Sequence, residues 1–357
     1  MVTGQHLDEA KVKEFADKAF GDLSGMWTVA LCYFGDRLGL FRDLHENGAA
    51  TASELAGRAG IDERYAAEWL RGLTAAGYLG HDDPTGRYEL PREHAQVLAV
   101  EGGPVFLGGG YQGFAAILEP LESIVRAFRT GGGARQEEYG AAWWSSMERF
   151  TNGWFENLLL PVWLPAMPDV ERRLRAGCDY ADVGCGSGRA LVKLAPEFPR
   201  SRFVGYDVFP AQVERARTRL QAAGLGDQVS VQVADAAEGL PERYDVISTF
   251  DVIHDAVDPL GLLRGIHRSM TADGIYICLD TNCADRHEDN AGPVAAMLYG
   301  ISVFYCMTTS LANGGAGLGT CGLPELRARE LCMQAGFSEL RRVPMDNPFN
   351  SLYEVSA

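Results

Sequence analysis

From Leu31 to Leu90 apolar positions recur at helical spacing, and Leu38, Leu40, Phe41 and Leu44 close one stripe before the turn-rich Glu46-Asn47-Gly48. Thr51-Ala-Ser-Glu54 comes next. Its Thr and Glu, three residues apart, form a capping box that opens a short helix closed by Gly57 and Gly60. Asp62 caps a further helix through Tyr65, Trp69, Leu70 and Leu73, which stops at Gly77. Tyr78-Leu79 and Tyr88-Glu-Leu90 then flank His81-Asp-Asp-Pro-Thr-Gly86, the composition of a hairpin turn. Three helices and a hairpin predict a winged helix over residues 1–100.

Glycine pairs and triplets at 102–103, 108–110 and 131–133 punctuate the following stretch, and the pattern predicts one amphipathic helix from Ala115 to Phe128. Trp143, Trp144, Trp154 and Trp163, with Phe150 and Phe155, read either as core between packed helices or as the apolar roof of a small-molecule pocket. After Cys178 the period changes to alternating strand and helix. Strands are expected at 180–183, 202–206, 229–233, 244–248 and 274–279, with helices at 190–195 and 260–269 between them. The chain thus divides into a mainly helical winged-helix domain (1–100), a helical linker and roof (101–165) and an α/β domain (166–357).

With 46% of residues hydrophobic and 22% charged the chain can bury a sizeable core, which excludes disorder. Forty-eight acidic against thirty-two basic residues leave a net charge of -16, a field that repels phosphate backbones and anionic headgroups. Nucleic acid and bare membrane surfaces are therefore not expected partners. A winged helix can bind DNA, but residues 1–100 hold ten Lys and Arg against sixteen Asp and Glu, and the would-be recognition helix opens on Asp62 and Glu63. The same architecture serves some enzymes as a dimerisation arm, here through Trp27, Leu31, Phe34 and Leu38. No uninterrupted apolar run reaches the roughly 18 residues of a membrane span, and Met1 to Lys18 is polar and mixed in charge, so a cytoplasmic protein is expected. Eight dispersed Cys, without a Cys-x-x-Cys pair, read as reduced thiols, and no structural metal is expected.

The chemistry gathers at the strand ends. Gly184-Cys-Gly-Ser-Gly188 follows the first strand of the α/β domain: Gly184 permits the sharp turn, Gly186 lets the backbone approach a ligand, and Gly188 brings the helix close. The dinucleotide fingerprint would place its third Gly at 189, which is Arg, and this disfavours NAD. Asp207 ends the second strand nineteen residues after Gly188, placed to accept both ribose hydroxyls. The third strand ends at Ala234-Asp235-Ala236, where a carboxylate can take an adenine amino group, and the fourth runs into Thr249-Phe-Asp-Val-Ile-His254-Asp255.

Asp182-x-Gly-x-Gly-x-Gly188, Asp207, Asp235 and the stretch from Asp245 to His254 resemble motifs I to IV of the class I S-adenosylmethionine-dependent methyltransferases, over about residues 165–357. The winged helix is similar to the N-terminal half of small-molecule O-methyltransferases of plants and bacteria. The run from Leu298-Tyr-Gly300 through Gly314-Gly-Ala-Gly-Leu-Gly319 to Pro348-Phe-Asn-Ser-Leu-Tyr353 resembles one bacterial subgroup. The resemblance implies a Rossmann-like seven-stranded sheet whose closing pair is Glu339–Val343 and an antiparallel Ser351–Val355. It implies S-adenosyl-L-methionine as cofactor, bound by Asp182, Gly184, Gly186, Gly188, Asp207, Val208, Asp235, Ala236 and Phe250. A small-molecule acceptor would meet Trp154, His287 and Tyr299, and the chain would be a homodimer.

In such enzymes a His in an Ile/Leu-His-Asp segment is the general base, and Ile253-His254-Asp255 matches it, which makes His254 and Asp255 the candidate catalytic pair. An unperturbed imidazole is neutral at pH 7 and suits the task. Ala256 stands where the plant enzymes carry Trp, and spacing assigns no carboxylate partner to His254. Its bland alternative is a hydrogen-bonded His at a helix start, and His267 reads as surface or packing. His254, Asp255 and His287 match no standard metal spacing. Methylation of a hydroxyl is the favoured reading. Transfer to N, C or carboxyl, a non-methylating rearrangement on the same fold, and a DNA-binding regulator sensing the nucleoside remain as alternatives.

Overall fold

A computed structural model describes residues 7–357, so the first six residues of the polar start lie outside the described ones. Two compact units emerge, one comprising the residues up to Ala116 with Ala142–Gly153, the other Ile117–Ala141 with Trp154–Ala357. The segment 101–165 is shared between them.

The first unit is a winged helix carried on a long helix. Helix α1 (Glu9–Arg37) opens at Asp8, whose carboxylate accepts from the Ala10 and Lys11 amides. Helix α2 (Leu40–Asn47) buries Leu40, Phe41 and Leu44, and α3 (Ala52–Ala59) opens on the predicted Thr51/Glu54 capping box. Helix α4 (Glu63–Ala75) buries Trp69, Leu70 and Leu73, and strands β1 (Gly80–Asp82) and β2 (Arg87–Glu89) pair as the antiparallel wing. Gly35 allows α1 to sit close: a Cβ there would meet the Phe41 and Trp69 rings at 2.6 Å. In contrast, much of α1 is unburied, with Val12, Phe15, Phe20, Leu23, Met26, Trp27 and Phe34 all exposed.

The second unit is built on a seven-stranded sheet of order β5-β4-β3-β6-β7-β9-β8. Strands β3 (Asp179–Val183), β4 (Arg202–Asp207), β5 (Val229–Val233), β6 (Tyr244–Phe250) and β7 (Met270–Thr281) run parallel, while β9 (Asn350–Ser356) is antiparallel to both β7 and β8 (Glu339–Val343). Near-continuous burial along β3, β4 and β7 is that of a sheet covered on both faces. The chain order reverses between β3 and β6, which opens the ligand crevice of doubly wound sheets at the ends of these two strands.

Two expectations change. The helix from Ala115 to Phe128 is broken, because Pro120 lacks an amide hydrogen and cannot continue the ladder; a 3₁₀ turn (Ala116–Leu118) precedes an α-helix that starts only at Leu121. Gly292–Ala312 forms one continuous 21-residue helical stretch of mean hydropathy 1.5, long and apolar enough to cross a membrane by length and composition alone. It is tied into the sheet unit by polar contacts: Thr308 Oγ1 accepts from the Ala134 amide at 2.9 Å, and the Ser310 hydroxyl donates to the Ala256 carbonyl at 3.0 Å.

Candidate active site

The glycine loop turns at the end of β3. Gly184, Gly186 and Gly188 all have positive φ (70°, 52° and 75°), a region that penalises a Cβ. The Gly184 and Cys185 amides both donate to the Tyr206 carbonyl, which pins the loop against β4. A Cβ at Gly184 would strike Val252 at 2.5 Å, so the loop also packs on the segment after β6. At Gly186 a Cβ would meet nothing within 4 Å, leaving its backbone open to a ligand. Gly188 faces Ala216 on the helix Pro210–Ala222 at 3.3 Å, so it sets the spacing of two helices rather than of helix and strand.

Asp207, buried at the end of β4, is oriented by backbone: Oδ2 accepts from the Gly186 amide and Oδ1 from the Phe209 amide, both at 2.9 Å. Burial pushes its carboxyl up while these two amides pull it down. Val208 beside it is exposed. Asp235 is exposed and caps the turn Ala236–Glu238 through the Ala237 amide, whereas Ala236 is core. Asp182 lies beneath the loop and accepts from the Ser248 hydroxyl at 2.8 Å, which in turn accepts from Tyr180 at 2.7 Å. Burial raises its carboxyl to about 7, against the Ser248 hydrogen bond. Phe250 ends β6 stacked on Trp163 (6.1 Å, 20°) and edge-on to Phe155 (5.3 Å, 77°). All nine expected cofactor residues therefore lie at the carboxyl ends of four neighbouring strands. The opening at Gly186 and the paired acceptor oxygens of Asp207 fit a nucleoside with a ribose diol.

His254 follows β6 in a 3₁₀ turn (Ile253–Asp255) and is buried. The residue that sequence reasoning missed is Asp280, fully buried on β7: its Oδ1 accepts from His254 Nδ1 at 2.6 Å and from the Thr281 amide at 2.7 Å. His254 Nε2 lies 3.1 Å from Asp255 Oδ1 but outside hydrogen-bond geometry, so that oxygen has no hydrogen-bond partner among the described residues. Burial pulls the imidazole pKa down, but Asp280 and then Asp255 outweigh it and hold it well above the ordinary value. This replaces the expectation of an unperturbed imidazole: the two neighbouring carboxylates favour the protonated ring.

His254, Asp255 and Cys306, and likewise Asp251, His254 and Asp280, bring ligand atoms within 4.8 Å of one another. The chemistry favours a hydrogen-bonded cluster over a metal centre, since Nδ1 is committed to Asp280 and burial pushes the Cys306 thiol up to about 12. His287 is exposed and lies edge-on to the exposed Tyr299 at 6.3 Å, apart from the buried cluster. Trp154 stacks on Phe349 (5.9 Å, 21°). His267 packs edge-on to Phe337 at 5.0 Å, the packing role expected of it.

Residues 181–276 match the family described as a methyltransferase domain, and residues 28–100 the family described as an Rv2258c-like winged HTH domain. The chain is 28% identical over 263 residues to the aclacinomycin 10-hydroxylase RdmB of Streptomyces purpurascens, covering 68% of this chain and 67% of that one. It is 32% identical over 100 residues to the polyketide synthase ThaQ of Burkholderia thailandensis, which is 28% of this chain and only 5% of that relative's length. Human N-acetylserotonin methyltransferase, solved in complex with S-adenosylmethionine, shares the fold with a TM-score of 0.70 at 16% identity over 99% of both chains.

Proposed function

We propose, from the premise that this chain carries a methyltransferase domain behind an Rv2258c-like winged-helix domain, that it transfers a methyl group from S-adenosyl-L-methionine to a hydroxyl of a small, partly apolar metabolite. When bound, the cofactor would supply an electrophilic methyl on a sulfonium, open to in-line attack by the acceptor oxygen with the sulfur leaving as a neutral thioether. Asp207 would hold the ribose diol, Asp235 the adenine amino group, and the open backbone at Gly186 the approach of the methionine portion. The observation that carries the reading is the buried His254–Asp280 pair at the same sheet edge as the glycine loop. Asp280 orients the ring through Nδ1 and leaves Nε2 to exchange a proton with the acceptor oxygen, while Asp255 stabilises the protonated ring. His287, Tyr299 and Trp154 would contact the acceptor.

The unburied apolar stripe of α1 supports a homodimer formed by two copies of that helix, and eight free cysteines suit the reducing cytoplasm. One observation favours a second reading: RdmB is named as a hydroxylase, and the carboxylates around His254 favour its proton-donating form, which would suit a reaction that does not transfer the methyl. Incubating the chain with methyl-labelled S-adenosylmethionine and a panel of phenolic and polyketide acceptors separates the two. A product heavier by one labelled methyl supports transfer. A converted product lacking the label overturns it in favour of the second reading.

A further inference from the structure

Asp251 is the one non-glycine residue with positive φ (56°) among the described residues, and it sits between β6 and the His254 turn. Such a backbone is costly for most residues and persists where the surroundings hold it. Here they do: its amide donates to the Leu279 carbonyl on β7 at 2.9 Å, and its Oδ1 accepts from the Asn350 side chain on β9 at 2.8 Å. Asn350 is itself buried, and its Oδ1 has no hydrogen-bond partner among the described residues. One carboxylate oxygen each of Asp251 and Asp280 and one ring nitrogen of His254 lie within 4.8 Å of one another. The adjoining Val252 is the residue that Gly184 packs against, so the segment carrying Asp251 lies against the glycine loop.

We propose that Asp251 is the charge-matching residue of the cofactor site: its carboxylate is the counter-ion of the sulfonium, and through it the chain tells S-adenosylmethionine from the product, S-adenosylhomocysteine, whose sulfur is neutral. The proposal rests on the cofactor reading above. Charge balance supports it. Asp251 faces Asp280, Asp255 and His254, with Arg189 at longer range, so the cluster holds more carboxyls than cationic groups and favours a further cation beside it. Burial first, then Asp280, push the Asp251 carboxyl up to about 7, with His254 pulling the other way. The group is thus part-protonated in the free protein, and a bound cation makes it release its proton to the buffer.

Asp251→Asn tests this without disturbing the backbone, since Asn tolerates positive φ and its amide oxygen still accepts from Asn350. Binding of S-adenosylmethionine and S-adenosylhomocysteine to the full chain is measured by calorimetry at pH 7 in phosphate and in Tris, whose ionisation enthalpies differ. Asp182, raised to about 7 beneath the loop, responds to both ligands, so the informative quantity is the difference between them. The parent should release about half a proton more with S-adenosylmethionine. Asp251→Asn should lose that excess and weaken S-adenosylmethionine about tenfold, the factor of one pKa unit, while S-adenosylhomocysteine changes little. Equal weakening of both ligands, or an excess that persists in the variant, overturns the proposal. A parent that binds neither ligand overturns the cofactor reading itself, and one that binds both with equal proton release overturns the charge matching alone.

Discussion

Replacing Asp280 by Asn removes one charge and almost no volume, from a position with no solvent access. In the parent, Oδ1 accepts from His254 Nδ1 and from the Thr281 amide, and Oδ2 accepts from the His254 amide at 3.4 Å. An Asn oxygen can keep the first two contacts, but its NH₂ then faces the His254 amide, donor to donor. The alternative rotamer presents NH₂ to Nδ1 and selects the tautomer with the proton on Nε2, which cannot accept one there. The second rotamer removes the base, while the first keeps it oriented but strips the charge that stabilises its protonated form; general base catalysis is worth roughly 10²–10⁴ in rate, so kcat should fall by up to that range. Affinity for the uncharged S-adenosylhomocysteine should hold, because the glycine loop, Asp207 and Asp235 make no contact with Asp280 in these hydrogen bonds.

The pH dependence separates catalysis from scaffolding. Asp280 is the larger of the two attractions holding the imidazole pKa up, so in the parent the rising limb of kcat/KM should lie alkaline of the range from about 6 to 7.5 that an unperturbed ring would give. Without that carboxylate the limb should move to lower pH while the plateau drops. Stability follows the same linkage. A raised imidazole pKa stabilises the fold fully below about 6.5 and loses that contribution as pH rises through the folded value. Asp280→Asn should therefore lower Tm more at pH 6 than at pH 9. The assays are kcat and KM across pH 5.5–9.5, calorimetric affinity for S-adenosylhomocysteine, and Tm at both pH values. A lowered plateau with an unmoved limb would reduce Asp280 to scaffolding, and an unchanged plateau would remove His254 from the mechanism.

Asp207→Ala should weaken S-adenosylmethionine by on the order of 10² or more, from two charge-assisted hydrogen bonds at about 1.5–3 kcal/mol each; unchanged calorimetric affinity would remove the ribose assignment. Asp182 holds a proton in the folded chain between about pH 4 and 7 that the unfolded chain releases, so its contribution is full below about 4 and lost as pH rises through 7. Asp182→Asn keeps it, and the ligand-free variant should melt several degrees above the parent at pH 8 and level with it near pH 4; equal Tm at pH 8 refutes this. Light scattering at micromolar concentration should give a dimer for the parent and a monomer for Phe15→Glu with Trp27→Glu, and a monomeric parent would sink the pairing of α1.

What was legible in the sequence is what a strand and its own turn decide. Val229–Val233 forms over the predicted residues because alternation and flanking turn residues are local signals, while Glu339–Val343 forms where the family resemblance implied it. The glycine loop, Asp207 and Asp235 were legible for the same reason: each ends the strand that aims it. Pro120 was a legible signal that the apolar pattern of Ala115–Phe128 outweighed. The Trp cluster, by contrast, could be divided only by packing: Phe155 and Trp163 enter the core against Phe250, while Trp154 stacks on Phe349, almost two hundred residues away.

Asp280 was illegible for a different reason. It meets His254 because β6 and β7 lie in parallel register, Phe250 beside Leu279, so the residues just past each strand's pairing share one point on the edge. Nothing within either segment encodes that register; it follows from which strand the helix Pro259–Arg268 delivers next to β6. The same holds for Asp251, whose left-handed backbone depends on Leu279 and Asn350, on two other strands. The glycine loop, Asp207 and Asp235, proposed to hold the nucleoside, are thus written in single strand-turn units, and the groups proposed to handle protons and the sulfonium charge are written in the pairing of β6, β7 and β9. That division explains why a cofactor could be inferred from motifs while the state of the imidazole could not. It also implies that substitutions which shift β7 against β6, even far from the ligand, should disturb the His254 proton before they disturb the hold on the nucleoside.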